Sequence, residues 1–419
     1  MNTFHYRDHA LYGEDLPLQE IAAHYGTPCY VYSEAALRER YHSFSAALGD
    51  NTRVCYAVKA NSNLGILRIF AEMGAGFDIV SGGELERVLR AGGDAGTIVF
   101  SGVGKSSVEI RAALGAGIFC LNVESAAELW RIADIAADMG KRAPVALRVN
   151  PDVDPGTHRY IATGLKESKF GIPMDQARHL YLQAAQHPAL ELKGIACHIG
   201  SQLLDLTPLG EAAGRVRALY DELAAHGIAL QHLDLGGGVG IRYHDEIPPS
   251  PADYAWTLDQ ALQGVAVRRV VELGRALAGN AGVLLTKVEY LKDNGGKQFC
   301  VVDAAMNDLL RPALYGAWHD ILPLHQSVGT GPAMDVVGPV CESGDFLARD
   351  RPLAAKAGDL LAVMSAGAYG FAMSSNYNSR PRPPEVLISG HQHRLIRRRE
   401  TLADQLSLEE NPPSRKSPL

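Results

Sequence analysis

Residues 53–93 read RVCYAVKANSNLGILRIFAEMGAGFDIVSGGELERVLRAGG. The short apolar runs RVCYAV (53–58) and FDIV (77–80) have the length and composition of buried strands. The stretch GELERVLRAGG (83–93) instead has apolar residues at the i, i+3 and i+4 spacing of an amphipathic helix. A buried strand followed by a helix is the unit of parallel α/β sheets.

The same alternation continues along the chain to about residue 272. Eight strand-like runs follow one another, namely RVCYAV (53–58), FDIV (77–80), TIVF (97–100), IFCL (118–121), VALRV (145–149), LKGIACH (192–198), HLDL (232–235) and RRVVE (268–272). Eight such units predict an α/β fold of the (β/α)8 TIM-barrel type. A doubly wound open sheet is the alternative that the pattern leaves open.

The pattern changes after about residue 276, where helical periodicity fades. Runs such as KQFCVVDA and MDVVGPVCES are strand-like and are punctuated by Gly and Pro. We therefore expect a barrel over residues 28–275 and a mostly β domain built from residues 1–27 and 276–404. The polar, Pro-containing residues 405–419 predict a disordered tail.

Composition excludes several classes of protein. The chain has 40 Lys+Arg against 47 Asp+Glu, and a net charge of −7 argues against a nucleic-acid binder. Its longest apolar runs are far shorter than the roughly 18–20 residues of a membrane span, and its first residues lack the apolar core of a secretory signal. The six cysteines form no CxxC pair and no zinc spacing. We expect a cytoplasmic protein with reduced thiols, without a metal site and without membrane or nucleic-acid partners.

Polar residues stand at the ends of the predicted strands, where barrel enzymes carry their active sites. Lys59 follows the first strand, Asp78 lies in the second, and His198 ends the sixth. The seventh strand leads into Gly236–Gly238, and the eighth ends at Glu272. A regular barrel would bring all of these groups to one rim.

Each of these groups allows a structural and a chemical interpretation. Lys59 is a solvated lysine or an amine that attacks a carbonyl. The glycines are a flexible turn or a cradle of backbone N–H groups for a phosphate. His198 is a core histidine, a metal ligand or a stacking ring, and a metal is disfavoured because no His or Cys lies near it at metal spacing. Glu272 is a surface carboxylate or one that needs a partner, such as a protonated ring nitrogen or an Arg. Taken together, the chemical interpretations point to pyridoxal 5'-phosphate.

The motifs YAVKAN, FDIVSGGEL, CHIGSQ, LGGGVGI, MNDLLRPALY, GPVCESGD and GAYG occur in this order between about residues 56 and 370. In these motifs the chain resembles the fold-type III, alanine-racemase-like enzymes that use pyridoxal phosphate. Within that group it is most similar to the diaminopimelate decarboxylase family. One departure is ELGR at 272–275, where the family usually has EPGR, so that Leu273 replaces a rigid proline.

The resemblance implies a role for each matching residue. Lys59 would carry the cofactor covalently, Glu272 would pair with the pyridine nitrogen, and His198 would stack on the ring. The other expected cofactor contacts are Asp78, Ser201, Gly236, Gly237, Gly238, Leu273, Gly274, Arg275 and Tyr369. The expected substrate contacts are Arg275, Arg311, Tyr315, Glu342 and Tyr369. Cys341 would be a second catalytic residue, acting as a proton donor.

The resemblance further implies a homodimer in which the Cys341-Glu342 loop of one chain reaches the active site of the other. The implied reaction is the conversion of meso-2,6-diaminopimelate to L-lysine and CO2, the last step of lysine biosynthesis. A decarboxylase of the ornithine or arginine type is the alternative on the same fold. A non-enzymatic pyridoxal-phosphate carrier would not need the roughly 140 residues that follow the barrel.

Overall fold

The computed structural model of the chain describes residues 3–154, 156, 168–326 and 329–410. The chain divides into two compact units. One unit is Leu37–Gly279, and the other combines Met1–Ala36 with Asn280–Leu419. The sequence predicts a barrel domain over residues 28–275, so the compact unit begins and ends a few residues later than predicted.

The first unit contains a closed barrel of eight parallel strands. In chain order, barrel strands 1 to 8 are Thr52–Ala57, Gly76–Ile79, Ile98–Phe100, Cys120–Val123, Ala143–Asn150, Leu190–Ala196, His232–Asp234 and Arg268–Leu273. Each strand pairs with the next, and barrel strand 8 pairs with barrel strand 1. The predicted (β/α)8 architecture is confirmed, and the pairing of the last strand with the first excludes the open sheet. A short strand, Ile172–Pro173, extends the pairing beside barrel strand 5.

Helices alternate with the barrel strands. They are Glu34–Leu48, Leu64–Glu72, Gly82–Arg90, Ser107–Ala116, Ala126–Asp138, Met174–Ala184, Thr207–Ala225, Pro251–Ala261 and Arg275–Ala278. Serine side chains cap several of their first turns. Ser106 and Ser250 form capping boxes with Glu109 and Asp253, so that two otherwise unpaired backbone N–H groups are satisfied at each helix start.

The barrel interior contains a layer of small apolar side chains. Its buried members are Cys55, Val99, Cys120, Ala146, Ala196 and Val270. They come from barrel strands 1, 3, 4, 5, 6 and 8. Because side chains alternate between the two faces of a strand, the inward residue two positions further along each strand lies nearer the carboxyl end of the barrel. The apolar layer thus forms the floor beneath those residues.

The second unit is mostly β. Its strands are Phe4–Arg7, Ala10–Gly13, Leu16–Pro17, Cys29–Ser33, Gly282–Asn294, Lys297–Val302, Ile321–Pro323, Ala333–Val337, Phe346–Pro352, Leu360–Val363, Glu385–Ser389 and Gln392–Arg397. Its helices are Leu18–Tyr25, Arg311–Tyr315 and Leu402–Glu410. The first three strands form a small sheet, and the others form a larger one around the long strand Gly282–Asn294. Its core includes Leu11, Ile21, Val283 and Val386.

Two segments differ from the sequence prediction. The strand Cys29–Ser33, predicted to begin the barrel domain, instead pairs with Gly282–Asn294 and Glu385–Ser389 of the second unit. Residues 405–410, predicted to be part of a disordered tail, belong to the helix Leu402–Glu410, and residues 411–419 lie outside the described residues. Among the described helices, none is both long enough and apolar enough to cross a membrane.

A buried ion pair joins two of the strand-helix units of the barrel. The Lys105 ammonium lies 2.7 Å from a carboxylate oxygen of Glu128 and donates to the carbonyls of Gly102 and Asn122. Only 1% of the Lys105 side chain and 8% of the Glu128 side chain are exposed. The ammonium therefore depends on protein acceptors instead of water.

Replacing Glu128 by Ala should destabilise the barrel strongly, because it leaves the Lys105 ammonium buried without its counter-charge. Breaking such a pair costs about 3–5 kcal/mol. The matched control is Glu86→Ala, which removes an exposed pair with Arg90 on one helix and should cost less than about 0.5 kcal/mol. Urea unfolding measures the free energy of unfolding of both variants. Equal losses in the two would show that the Lys105–Glu128 pair contributes no more to stability than an exposed pair.

Candidate active site

Lys59 and Asp78 form an ion pair at the carboxyl end of the barrel. Barrel strand 1 ends in a single turn of 3-10 helix, Val58–Ala60, which carries Lys59. The Lys59 Nζ lies 2.6 Å from Asp78 Oδ2. The Lys59 side chain is 36% exposed, whereas Asp78 is fully buried. Asp78 Oδ1 has no hydrogen-bond partner within the described part of the chain, so a buried acceptor faces this site unused.

His198 is a neutral imidazole beside this pair. It follows barrel strand 6, and its Nδ1 accepts the backbone N–H of Gly237 at 3.2 Å. Burial lowers the pKa of His198 well below its usual value, and the positive charges of Arg148 and Lys59 lower it further. An uncharged ring whose Nδ1 is held by the backbone is suited to stack on a planar group.

The three glycines after barrel strand 7 form a turn that no other residue type would fit. Gly236 and Gly238 have φ of +64° and +99°. A Cβ atom added to Gly237 would lie 1.9 Å from the carbonyl oxygen of Glu272. The Gly236 N–H donates to Asp234 Oδ1 at 3.0 Å. The turn can therefore bring its backbone closer to a ligand than side chains would permit.

Arg275 holds Ser201 in place. Its Nε and Nη2 lie 3.2 and 2.9 Å from Ser201 Oγ, and its Nη1 donates to the Tyr243 hydroxyl at 2.6 Å. Leu273, the last residue of barrel strand 8, is buried, and a Cβ atom on Gly274 would lie 3.0 Å from that of Ala60. The backbone of the ELGR segment thus packs closely against the turn that carries Lys59.

Glu272 lies in a group of buried polar side chains inside the barrel. Its Oε1 is 3.3 Å from both Ser101 Oγ and Asn122 Nδ2, and the same amide donates to Asp234 Oδ2 at 2.9 Å. Burial raises the pKa of Glu272 well above its usual value, and the charges of Asp234 and Asp78 raise it further. The carboxyl group of Glu272 therefore holds a proton more tightly than an exposed glutamate does.

Five neighbours of these residues did not emerge from the sequence, namely Ser101, Asn122, Arg148, Asp234 and Tyr243. The first three could have been found, because Ser101 directly follows barrel strand 3 and Asn122 and Arg148 lie near the ends of barrel strands 4 and 5. Asp234 ends barrel strand 7, two residues before Gly236, and the same strand-end signal marks it. No local signal marks Tyr243.

The structure places the remaining predicted residues in the second unit, namely Arg311, Tyr315, Cys341, Glu342 and Tyr369. Arg311 and Tyr315 lie at the two ends of the short helix Arg311–Tyr315. Arg311 is buried, and its Nη1 is 2.9 Å from Nε2 of the buried His319. The other ring nitrogen of His319 lies 2.7 Å from the Met364 carbonyl oxygen, which orients the imidazole toward Arg311.

Cys341 and Glu342 lie on an exposed loop. Asp345 holds the base of that loop, because its carboxylate oxygens accept the backbone N–H groups of Met306 and Val340 at 2.7 Å each. Cys341 is an exposed free thiol whose backbone N–H donates to Asn378 Oδ1 at 2.8 Å. The other five cysteines are buried free thiols.

Tyr369 has φ of +56°, a conformation that a non-glycine residue adopts only when its surroundings impose it. It lies in the motif GAYG, between the strand Leu360–Val363 and the short helical turn Phe371–Met373. The two glycines leave the backbone free to form this tight turn around the tyrosine.

Comparison with known proteins identifies the family. The pyridoxal binding domain of pyridoxal-dependent decarboxylases matches residues 34–279. Diaminopimelate decarboxylase of Pseudomonas aeruginosa is 55% identical over 405 residues, which cover 96% of this chain and 98% of that one. The chain belongs to the diaminopimelate decarboxylase family.

Other members of the diaminopimelate decarboxylase family also match this chain over nearly its full length. The Vibrio cholerae enzyme is 53% identical over 412 residues, covering 98% of this chain and 99% of that one. The crystal structure of the Helicobacter pylori enzyme in complex with L-lysine has a TM-score of 0.91 at 43% identity. That comparison covers 94% of this chain and 99% of the other. Both units of this chain are therefore shared with the family.

The barrel residues fit the cofactor of the diaminopimelate decarboxylase family, pyridoxal 5'-phosphate. The rim offers an amine on Lys59, an uncharged imidazole on His198 and a buried carboxyl group on Glu272. The unused oxygen of Asp78 and the crowded glycine turn show that this end of the barrel is shaped around polar contacts and close backbone approach. These are the groups that an aldehyde, a phosphate and a protonatable ring require.

Replacing Gly237 by Ala should abolish tight binding of pyridoxal phosphate and lower the melting temperature, because the new methyl group overlaps the Glu272 carbonyl. The matched control is Gly214→Ala, in the helix Thr207–Ala225, where a Cβ atom meets no other atom within 4 Å. That change should stabilise the protein by about 0.5–1 kcal/mol. Both variants can be tested by thermal unfolding and by absorbance titration with the cofactor. Normal cofactor affinity in Gly237→Ala would show that the turn Gly236–Gly238 does not bind the cofactor.

Proposed function

We propose that this chain decarboxylates meso-2,6-diaminopimelate to L-lysine and CO2 with pyridoxal 5'-phosphate as cofactor, the final step of lysine biosynthesis. One observation carries the proposal. Relatives named for this reaction match both the barrel and the β unit over nearly their full length. A carrier of pyridoxal phosphate would need the barrel alone.

The barrel residues supply the cofactor site. When bound, pyridoxal phosphate withdraws electrons from the substrate α-carbon as CO2 leaves. Lys59 would carry the cofactor, with its amine oriented by Asp78 at 2.6 Å. His198 would lie against the ring face, and Glu272 would contact the pyridine nitrogen, because a carboxylate there favours the protonated ring.

The phosphate would lie among backbone groups and hydroxyls. Candidates are the turn Gly236–Gly238, the backbone of Leu273 and Gly274, the Ser201 hydroxyl and the Tyr369 hydroxyl. Arg275 orients Ser201 through two hydrogen bonds, which makes this hydroxyl a fixed donor. Leu273 in place of the family's usual proline alters the stiffness of this segment and leaves Glu272 and Arg275 in place.

The second unit would select the substrate. Diaminopimelate carries an amine and a carboxylate at the end that does not react, so its recognition requires both a cation and an anion. Arg311 and Arg275, with Tyr315 and Tyr369, are suited to the carboxylate, and Glu342 is suited to the ammonium. An ornithine- or arginine-type substrate has only a cation at that end, and arginines there would repel it.

Cys341 would donate the proton that replaces CO2 on the α-carbon. Its exposure on a loop agrees with a group that serves a neighbouring chain. We therefore propose a cytoplasmic homodimer in which the Cys341-Glu342 loop of each chain completes the active site of its partner.

Substrate choice can be tested with the purified protein, pyridoxal phosphate and one of four substrates, namely meso-diaminopimelate, L-ornithine, L-arginine or L-lysine. We expect CO2 and lysine from diaminopimelate only. Arg311→Ala should lower kcat/KM for diaminopimelate roughly ten- to 150-fold, the equivalent of about 1.5–3 kcal/mol for a lost charged hydrogen bond. Arg394→Ala, an exposed arginine of the same unit, should change nothing. Faster turnover of ornithine than of diaminopimelate would favour the alternative function.

The shared site can be tested by complementation. Lys59→Ala and Cys341→Ala homodimers should each be nearly inactive. Refolding equal amounts together should restore about a quarter of the wild-type activity, since about half of the dimers are mixed and each has one intact site. Refolded wild-type protein corrects for incomplete recovery. Mixed dimers without activity would show that Cys341 serves its own chain or no active site.

A further inference from the structure

The Cys341-Glu342 loop is shaped by hydrogen bonds between its own residues. The Glu342 N–H donates to the Val340 carbonyl at 2.8 Å, and the Asp345 N–H donates to the Glu342 carbonyl at 3.0 Å. The Gly344 N–H donates to Glu342 Oε1 at 3.3 Å. These three bonds give the loop its turns, but they do not fix it to the rest of the second unit.

The Asp345 side chain fixes the base of the loop. It is only 5% exposed, and its two oxygens accept the backbone N–H groups of Met306 and Val340 at 2.7 Å each. Hydrogen bonds to an ionised acceptor are stronger than those between neutral groups. A Cβ atom added to Gly338 would lie 2.6 Å from both the Ala304 carbonyl oxygen and Asp345 Oδ2. The base of the loop thus packs on the backbone around Met306 more closely than a side chain would allow.

Asn378 fixes the loop at Cys341 itself. Its Oδ1 accepts the Cys341 N–H at 2.8 Å, and its φ of +57° lies in a region that few residues other than Gly, Asn and Asp adopt. The chain on both sides of Asn378 is bonded to Asn307. The Ser375 N–H donates to the Asn307 carbonyl at 2.9 Å, and Arg380 Nε donates to Asn307 Oδ1 at 3.0 Å.

The two fixed points of the loop share one anchor, because Asn307 directly follows Met306 in the chain. We propose that Asp345 and Asn378 are positioning residues that hold the backbone of Cys341, and with it the thiol, in the orientation that the reaction requires. The inference rests on the proposed role of Cys341 as a proton donor. A donor is effective only within hydrogen-bond reach of the atom that it protonates, and an exposed loop without fixed points would seldom keep its thiol there.

Asn378→Gly tests the inference, because glycine adopts the positive φ without strain while it removes the acceptor for Cys341. Hydrogen exchange of the Cys341 N–H, measured by mass spectrometry at residue resolution on the protein loaded with pyridoxal phosphate, should become roughly two- to tenfold faster, as the loss of one neutral hydrogen bond predicts. The kcat for diaminopimelate should fall by a similar factor. Asn378→Asp keeps an acceptor oxygen and should restore the slow exchange.

The matched control for Asn378→Gly is Ser379→Gly. Ser379 is also exposed and has a φ of +55°, so glycine relieves the same backbone strain there. Among the described residues, no hydrogen bond involves the Ser379 side chain. Exchange at Cys341 and kcat should therefore keep their wild-type values in this control.

Asp345→Asn tests the other fixed point. Asparagine keeps one acceptor oxygen and places an NH2 group against the second backbone N–H, so exchange at Met306 or Val340 should accelerate and kcat should fall further than in Asn378→Gly. The control is Asp335→Asn, which changes another buried carboxylate that accepts a backbone N–H in this unit, that of Asp350 at 2.8 Å. This control should leave kcat and the exchange at Cys341 unchanged.

Wild-type exchange at Cys341 in Asn378→Gly would overturn the inference. A lower melting temperature with normal kcat in Asn378→Gly would also overturn it, because the residue would then serve stability alone. If the wild type forms no lysine from diaminopimelate, the proposed function itself fails. If the wild type is active and Cys341→Ala is not, but Asn378→Gly and Ser379→Gly have equal kcat, only the positioning role fails.

Discussion

The parallel pairing of barrel strand 8 with barrel strand 1 is the interaction on which the candidate site depends. It joins Arg268–Leu273 to Thr52–Ala57 and sets Glu272 opposite Cys55. Lys59, which follows strand 1, thereby comes to the same end of the barrel as Glu272, more than two hundred residues later in the chain. Open-sheet pairing would leave these two strands apart, and the amine and the carboxyl group could not serve one cofactor.

The alternation of side chains along the strands then determines which residues meet inside the closed barrel. Val99, Cys120, Ala146, Ala196 and Val270 form the apolar floor. Two residues after each of them, on the same face, come Ser101, Asn122, Arg148, His198 and Glu272. These polar side chains form a layer that lies two residues along each strand from the apolar layer, toward the carboxyl end of the barrel. Small side chains in the floor seal the barrel from below, which is why the carboxyl groups above it are buried and their pKa values are raised.

Much of this arrangement could be predicted from the sequence, because strand ends mark it locally. The eight strands follow from apolar periodicity, and Lys59, Asp78, His198 and Glu272 follow from their positions at strand ends. The shared contact of Asp234 and Glu272 with the Asn122 amide could not be predicted, because it depends on the register between strands. The placement of Cys29–Ser33 depends likewise on partners far away in the chain. The helix Leu402–Glu410 could have been predicted from its first residues. Thr401 and Asp404, in the sequence TLAD, form reciprocal hydrogen bonds at the start of the helix. This pattern is a helix-start signal, and it outweighs the polar composition of the residues that follow.

The polar layer also shows how a barrel can tolerate buried acids. A carboxyl group whose pKa is raised by folding stabilises the folded state at low pH, and this contribution disappears as the pH rises through the raised value. For Asp234 that value is about 6, so near neutral pH the barrel contains an anion whose ionisation opposes folding. Hydrogen bonds from Asn122 and Gly236 offset part of this cost. The pyridine ring that Glu272 is proposed to contact would, when protonated, offset more, because it would bring a positive charge to these carboxyl groups without adding water. The same buried acids whose ionisation opposes folding would therefore favour binding of a cationic ring, so that cofactor binding and barrel stability would depend on one set of side chains.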